Sequence, residues 1–406
     1  YKSGAFEVDY YGASYTQLHL MNVDSLHKEG FDGGSTLIAV LDEGFLNVNT
    51  LQAFDHLYAQ GKVLDVYNFV DKHTDVYSMG SHGTKVLSCM GAKLEGKLIG
   101  ACYNANYALY RTEDPTQENP VEEFYYLMAA ERADSLGVDI INSSLSYRDF
   151  DDPAFDHSYQ ELNGRHSVAA RAVTMLARKG VVVVTSAGNT GTSLFKTIGT
   201  PADADSILTV GAVNEKFVRA GFSSVGPTVD GRIKPDVSAL GEQAVCVNHV
   251  TDGEITTSSG TSFSAPLVAG FVALMKERMP TLSAQELISY VKKSGSNAAA
   301  PNNQIGYGVP YYGARETVSH LSDEDIIGYF SHGFLYIKKE DGVLALGEAK
   351  ECRLYDLSGK LVMATKSLEH QGTTVRVPAG GITRGMYVGF VYINGKTNRL
   401  KLIKNN

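Results

Sequence analysis

The chain has 406 residues, 43% apolar and 20% charged, the balance of a soluble protein with a sizeable core, and its length suits a large domain followed by a smaller one. Its formal charge of -9 comes with no basic cluster, so a phosphate backbone would find no row of Lys and Arg to meet it, and nucleic acid is excluded as a partner. No apolar run reaches the roughly 18 to 20 residues that a spanning helix needs, and the chain opens at Tyr1 without Met or a signal peptide; a trimmed or processed chain with no integral membrane segment is expected.

From Thr36 to about Gly313, short β-branched runs alternate with longer amphipathic stretches, which predicts an α/β fold: a mostly parallel sheet with helices on both faces. The predicted strands are Thr36 to Leu41, Asn106 to Tyr110, Val138 to Asn142, Val181 to Thr185 and Ile207 to Gly211. The continuous valines from Val181 to Val184 suit a strand buried on both faces. Helical spacing of apolar residues runs through Val121 to Leu136 and His166 to Arg178, and Gly137 and Gly180 supply the stops. A long apolar helix follows over Leu267 to Met279. Pro266 is tolerable there in the first turn, which sets Ser262 at or just before the helix N-terminus. After about Asp323 the pattern changes to short alternating strands, Glu351 to Tyr355, Thr374 to Val377, Met386 to Tyr392 and Arg399 to Ile403, with turns at Ser358-Gly359 and Asn394-Gly395. The expected division is therefore residues 1–322 and an all-β sandwich over 323–406.

In an open parallel sheet, reactive groups collect beyond the carboxyl ends of the strands. Asp42 stands there, after Leu37-Ile38-Ala39-Val40-Leu41. His82 opens a helical stretch beside Gly83, which permits close approach. Ser262 precedes the long helix, where the dipole and the free N–H groups favour developing negative charge. Each residue alone reads as a turn, a cap or a structural side chain. Together they fit one scheme, in which Asp orients His, His takes the proton of Ser and the serine oxygen attacks a carbonyl.

The order Asp, His, Ser is that of subtilisin, and Asp42-Glu43-Gly44, His82-Gly83-Thr84 and Gly260-Thr261-Ser262-Phe263-Ser264-Ala265-Pro266 resemble the three signature motifs of the subtilase family. The likeness extends over about residues 10 to 315 and includes Asn142-Ser143-Ser144-Leu145-Ser146 and Ser186-Ala187-Gly188-Asn189. It implies a serine endopeptidase acting on polypeptides, with Asn189 and the Ser262 N–H in the oxyanion hole. It further implies that Ser144, Leu145 and Ser146 form one wall of the substrate cleft, with Ala187 and Gly188 lining the neighbouring pocket. Ser146 stands where many relatives have Gly, and its hydroxymethyl would narrow that pocket. No cofactor is implied for the chemistry, and calcium is the structural ion the family suggests.

Further expectations attach to single positions and to small groups of residues. Glu43 replaces the usual Ser or Thr, and strand alternation would turn it away from His82. Phe263 replaces a Met, which removes an oxidisable sulfur. The acidic clusters Glu113-Asp114, Glu122-Glu123 and Asp149 to Asp156 read as solvated faces before they read as calcium ligands. His56, His73, His157, His166 and His249 read as surface or loop residues without metal spacing. The cysteines, Cys89, Cys102, Cys246 and Cys352, also lack metal spacing, and most sit in apolar segments where free buried thiols are common. Leu354 to Lys360, Gly385-Met386-Tyr387-Val388 and Leu400 to Lys404 resemble the C-terminal sorting domains of type IX secretion substrates. That likeness implies a secretion machinery as partner and a secreted, cell-surface or envelope location.

Overall fold

Seven parallel strands form the central sheet of the computed structural model, which describes residues 9–313, 326–331, 334–339, 351–356, 360–366, 368–371, 374–383, 385–393 and 396–404. They are β1 (Leu37–Asp42), β2 (Val63–Asn68), β3 (Asn106–Arg111), β4 (Ile140–Ser143), β5 (Val182–Ser186), β6 (Leu208–Val213) and β7 (Val237–Leu240), in the spatial order β2-β3-β1-β4-β5-β6-β7. The chain leaves β1 for β2, returns to β3 on one side of β1, then crosses to β4 on the other. In register, Asp42 lies opposite Arg111 of β3, and Leu41 opposite Ser143 of β4. A crevice opens beyond the carboxyl end of a strand flanked in this way.

Alternation along β1 explains the two helical layers. Ile38 and Val40 join a core shared with α1 (His82–Gly91), α4 (Thr261–Arg278) and α5 (Ala284–Lys293); Ala39 and Leu41 join another shared with α2 (Val121–Leu136) and α3 (Val168–Lys179). Both α2 and α3 end on a left-handed glycine, Gly137 at φ 79° and Gly180 at φ 97°, as their sequences predict. The Ser167 hydroxyl starts α3 by accepting the Ala170 N–H at 3.0 Å. Helix α4 is buried without a break from Thr261 to Met275. Each large apolar side chain it takes from water, such as Val268, Phe271 or Leu274, contributes roughly 1.5–3 kcal/mol. At Gly270 the helix passes so close to Ala101 that an added Cβ would meet the Ala101 Cβ at 2.5 Å.

Pro266 does not lie in the first turn of α4. It is the sixth helical residue, and the helix begins at Thr261, with Ser262 in its first turn. Lacking an N–H, Pro266 cannot bond the carbonyl four residues back, which is that of Ser262. The Ser144 hydroxyl takes over, donating to this carbonyl at 2.8 Å. The helix therefore continues through the proline, because a side chain from another strand end satisfies the freed acceptor.

The chain divides into two compact units, residues 1–312 and 313–406. In the second, two four-stranded antiparallel sheets share an apolar core that includes Leu335, Ile337, Cys352, Leu354, Val375, Val377 and Val391. The Ser358-Gly359 and Asn394-Gly395 turns, and the expected boundary at residue 323, lie outside the described residues. All four cysteines are buried free thiols.

Candidate active site

The carboxyl ends of β1, β4 and β5, together with the N-termini of α1 and α4, surround a cleft of about 510 Å³. Asp42, the last residue of β1, is fully buried. Its Oδ1 accepts the His82 Nδ1–H at 2.7 Å and the Glu43 N–H at 2.9 Å. Gly83 makes that approach feasible, since a Cβ on it would stand 2.3 Å from the Gly44 carbonyl oxygen and 2.9 Å from the Asp42 Cβ. His82 keeps part of its imidazole in the cleft, with the Phe263 ring 5.8 Å from it between centroids.

Glu43 does not turn away from His82. β1 ends at Asp42, so strand alternation no longer governs the next residue, and Glu43 Oε1 accepts the His82 backbone N–H at 2.9 Å. It thereby caps α1, whose own Ser81 makes no side-chain cap. Burial, the largest single influence, would lower the His82 pKa; the Asp42 charge, its hydrogen bond to the ring and the Glu43 charge together outweigh it, and the imidazole is held above its ordinary value. Buried Arg111 steadies the turn by donating to the Glu43 carbonyl at 3.0 Å.

Across the cleft, Ser262 is 8% exposed and its hydroxyl contacts the Ser144 carbonyl at 3.4 Å rather than the imidazole. The N–H groups opening α4 divide clearly. That of Thr261 donates to Asn189 Oδ1 at 3.0 Å, that of Phe263 donates to the Gly260 carbonyl at 3.1 Å, and that of Ser262 has no partner among the described residues. The Thr261 hydroxyl also donates to Asn189 Oδ1 at 3.1 Å, so both bonds hold the amide by its oxygen and leave Nδ2 free to donate.

Ser144, Leu145, Ser146 and Gly188 line the cleft, but Ala187 does not. The Ala187 N–H bonds the Val210 carbonyl at 2.9 Å, which prolongs the β5–β6 pairing and buries its methyl with Ile198 and Ala202 beneath the wall. Ser146 fits against two glycines, its Oγ 2.2 Å from where a Cβ on Gly199 would lie and 3.4 Å from one on Gly188.

Members of two clusters that the sequence left as solvated faces, joined by Glu118, complete the cleft. Glu113, Asp114, Glu118 and Asp149 line it, with Arg148 as a cation among them. Burial, with Glu122 nearby, pushes the Glu113 carboxyl well above the usual range, while Tyr147 donates to it at 2.6 Å. Glu122 and Glu123 are buried rather than solvated. Glu122 accepts the Asp114 and Asn119 N–H groups at 2.8 and 3.2 Å, and burial raises its pKa to about 7. The available signal was position, because Glu113 and Asp114 follow the carboxyl end of β3. A second groove, of about 320 Å³, runs between α2 and α3 past Phe124 and Met175 and holds none of the candidate residues.

Residues 33–308 match the family model described as the subtilase family. Subtilisin DY of Bacillus licheniformis is 28% identical over 279 residues, covering 68% of this chain and 90% of that protein. Serine protease AprX of Bacillus subtilis (strain 168) is 26% identical over 324 residues, covering 72% and 69%. Among solved structures, the MycP3 protease from the type VII (ESX-3) secretion system superposes with a TM-score of 0.59 at 20% identity, covering 74% of this chain and 87% of that one. A cold adapted subtilisin-like serine proteinase superposes with a TM-score of 0.53 at 22% identity, covering 70% and 91%. At those identities the structural likeness speaks for the subtilisin-like fold alone. The family model spans more than half of the chain, which belongs to the subtilase family and is a serine endopeptidase.

Proposed function

We propose that the enzyme hydrolyses peptide bonds through an acyl-enzyme intermediate, with Ser262 as nucleophile, His82 as general base and then acid, and Asp42 as the group that orients His82. The observation that carries this reading is the 2.7 Å Asp42–His82 contact on one side of a cleft whose other side holds Ser262. Rotation of the Ser262 hydroxyl from the Ser144 carbonyl toward the imidazole precedes attack, a tightening common when substrate arrives. The proton passes to His82, and the oxyanion settles between the unpartnered Ser262 N–H and Asn189 Nδ2. His82 then protonates the leaving amine, and water repeats the sequence on the ester. None of these steps calls on a metal or cofactor.

The substrate is a polypeptide in extended form, which Ser144 to Ser146 meets as an added strand, with the pocket beside Gly188 and Ser146 taking the side chain before the cut. The carboxylates of Asp114 and Asp149 in the cleft wall favour substrates with Lys or Arg upstream of that bond. Residues 1–322 form the peptidase domain, and residues 323–406 serve export or attachment at the cell surface or envelope. That role is supported by the separate apolar core of the second unit and by the sorting-domain likeness of its strands. Among the described residues no helix is long and apolar enough to cross a membrane.

The test is digestion of a diverse peptide library, with cleavage sites mapped by mass spectrometry, before and after treatment with a serine-directed phosphonate. Expected are cuts enriched in upstream basic residues, abolished by a single adduct on Ser262. An adduct elsewhere with loss of activity would overturn the nucleophile, and cuts indifferent to charge would overturn the substrate preference.

A further inference from the structure

We propose that His157, Glu161 and His166 form a binding site for zinc, or for another divalent ion that favours imidazole, in the segment between β4 and α3. One ring nitrogen of each histidine and one carboxylate oxygen of Glu161 all lie within 4.8 Å of one another. The sequence separates these residues by irregular steps in a loop, so no metal spacing is visible in it; the fold gathers them.

The second observation is how each donor is held from behind. Glu123, buried on α2, bonds His157 Nε2 through Oε1 at 2.5 Å, and its Oε2 accepts the Ala169 N–H at 3.0 Å. Both carboxylate oxygens are thus committed, and the ring is oriented. With Nε2 given to Glu123, Nδ1 is the His157 nitrogen left to ligate, and it has no hydrogen-bond partner among the described residues. Glu161 is fixed in the same manner: its Oε2 accepts the Ser158 N–H at 2.7 Å and the Ser158 hydroxyl at 2.9 Å, which leaves Oε1 toward His166 Nε2 at 3.1 Å. A carboxylate on the far nitrogen of an imidazole, and hydrogen bonds on the far oxygen of a carboxylate, are the outer supports that metal ligands receive.

Chemistry selects the ion. Two imidazoles and one carboxylate suit zinc, nickel or copper, whereas calcium wants six to eight oxygens. A tetrahedral zinc ion, bonded to nitrogen at about 2.0–2.1 Å, sets its ligands roughly 3.3 Å apart, so the three donors must close by roughly 1.5 Å at most. The side chains of His157 and Glu161 are anchored, 13% and 35% exposed, while that of His166 is 51% exposed and can close onto them. A water would take the fourth position. In the absence of metal His166 pairs with Glu161 through a proton that the ion displaces, whereas the His157–Glu123 bond is kept. Bound there, the ion ties the 157–166 segment to α2 through Glu123 and to the start of α3, behind the Arg148–Asp149 part of the cleft wall.

The experiment uses the full chain carrying Ser262→Ala to prevent self-digestion, titrated with zinc by calorimetry and with cobalt(II) by visible absorption. One zinc per chain is expected, with the absorption of a four-coordinate cobalt site and a Tm raised by zinc. His166→Ala and Glu161→Gln, at partly exposed positions, should each lower the affinity by about tenfold or more and remove the Tm shift, and Glu123→Gln should weaken binding by about 10- to 100-fold. His73→Ala should change nothing. Failure of the parent chain to bind zinc, equal affinity in the parent and His166→Ala, or equally strong binding of calcium would each overturn the proposal.

Discussion

The two units of this chain bury their strands differently, and the difference decides where chemistry can sit. In the α/β unit the central strands are covered on both faces: β5 is buried at all five positions and β1 at every position after Leu37. Side chains in the body of such a strand are shut off from solvent, so polar groups that line a cleft gather where strands end, as Asp42, Ser144 and Ser186 do. In the second unit, burial alternates along Glu351–Asp356, with Cys352 and Leu354 inside and Arg353 outside. A strand with one buried and one outward face of this kind suits contact with another surface better than the assembly of a recessed site. All residues lining the cleft lie between positions 42 and 262.

The strongest way to break that comparison is to remove the group at the centre of the cleft. Ser262→Ala should reduce kcat by about a millionfold, the loss known for the corresponding serine in subtilisin, while circular dichroism stays unchanged. Residual turnover near the parent rate would sink the assignment. Asn189→Ala should cost about a hundredfold to a thousandfold in kcat with little change in KM, again the range known for that donor in subtilisin. A change confined to KM would move Asn189 from the oxyanion hole to ground-state binding.

Glu43 sharpens the picture at smaller amplitude. As the proposed base His82 must be neutral, and its pKa is raised, so the neutral fraction and kcat/KM should climb with pH through a midpoint above the ordinary imidazole value of about 6.5. Glu43→Gln removes one of the charges that hold this proton, which lowers the His82 pKa and moves the acid limb to lower pH. A limb that stays in place, or moves upward, would show that Glu43 acts only as a helix cap. The smallest expected effect is on the other unit: truncation near Leu321 should leave kcat/KM on a short peptide unchanged and alter only location or stability. A folded but inactive truncation product would mean that the β unit shapes the cleft.

Periodicity and punctuation carried most of the fold. Helix α2 has the bounds its apolar spacing predicts, and α2 and α3 stop at the glycines that only a left-handed cap requires. The strands at Val63–Asn68 and Val237–Leu240 carry no legible pattern, the first because Asp65 interrupts its apolar run, the second because four residues are too few to show a period. The residue types of the candidate site and their order along the chain were also legible, since their meaning lies in chemistry and in the sequence of strand ends.

What the tertiary structure decided concerns direction and company. Side-chain direction beyond a strand's last residue depends on the turn that follows, which is why Glu43 reaches the His82 amide. Pro266 sits deeper in its helix than first-turn tolerance allows, because whether a freed carbonyl finds a donor depends on Ser144, more than a hundred residues away. Likewise Glu122 and Glu123 look like a solvated pair until α2 packs against α3, and His157 and His166 look like unrelated loop residues until Glu123 meets one of them. Sequence determines which groups a chain has to offer; burial and long-range contact determine which of them face one another, because those distances are set by packing between segments that no local pattern records.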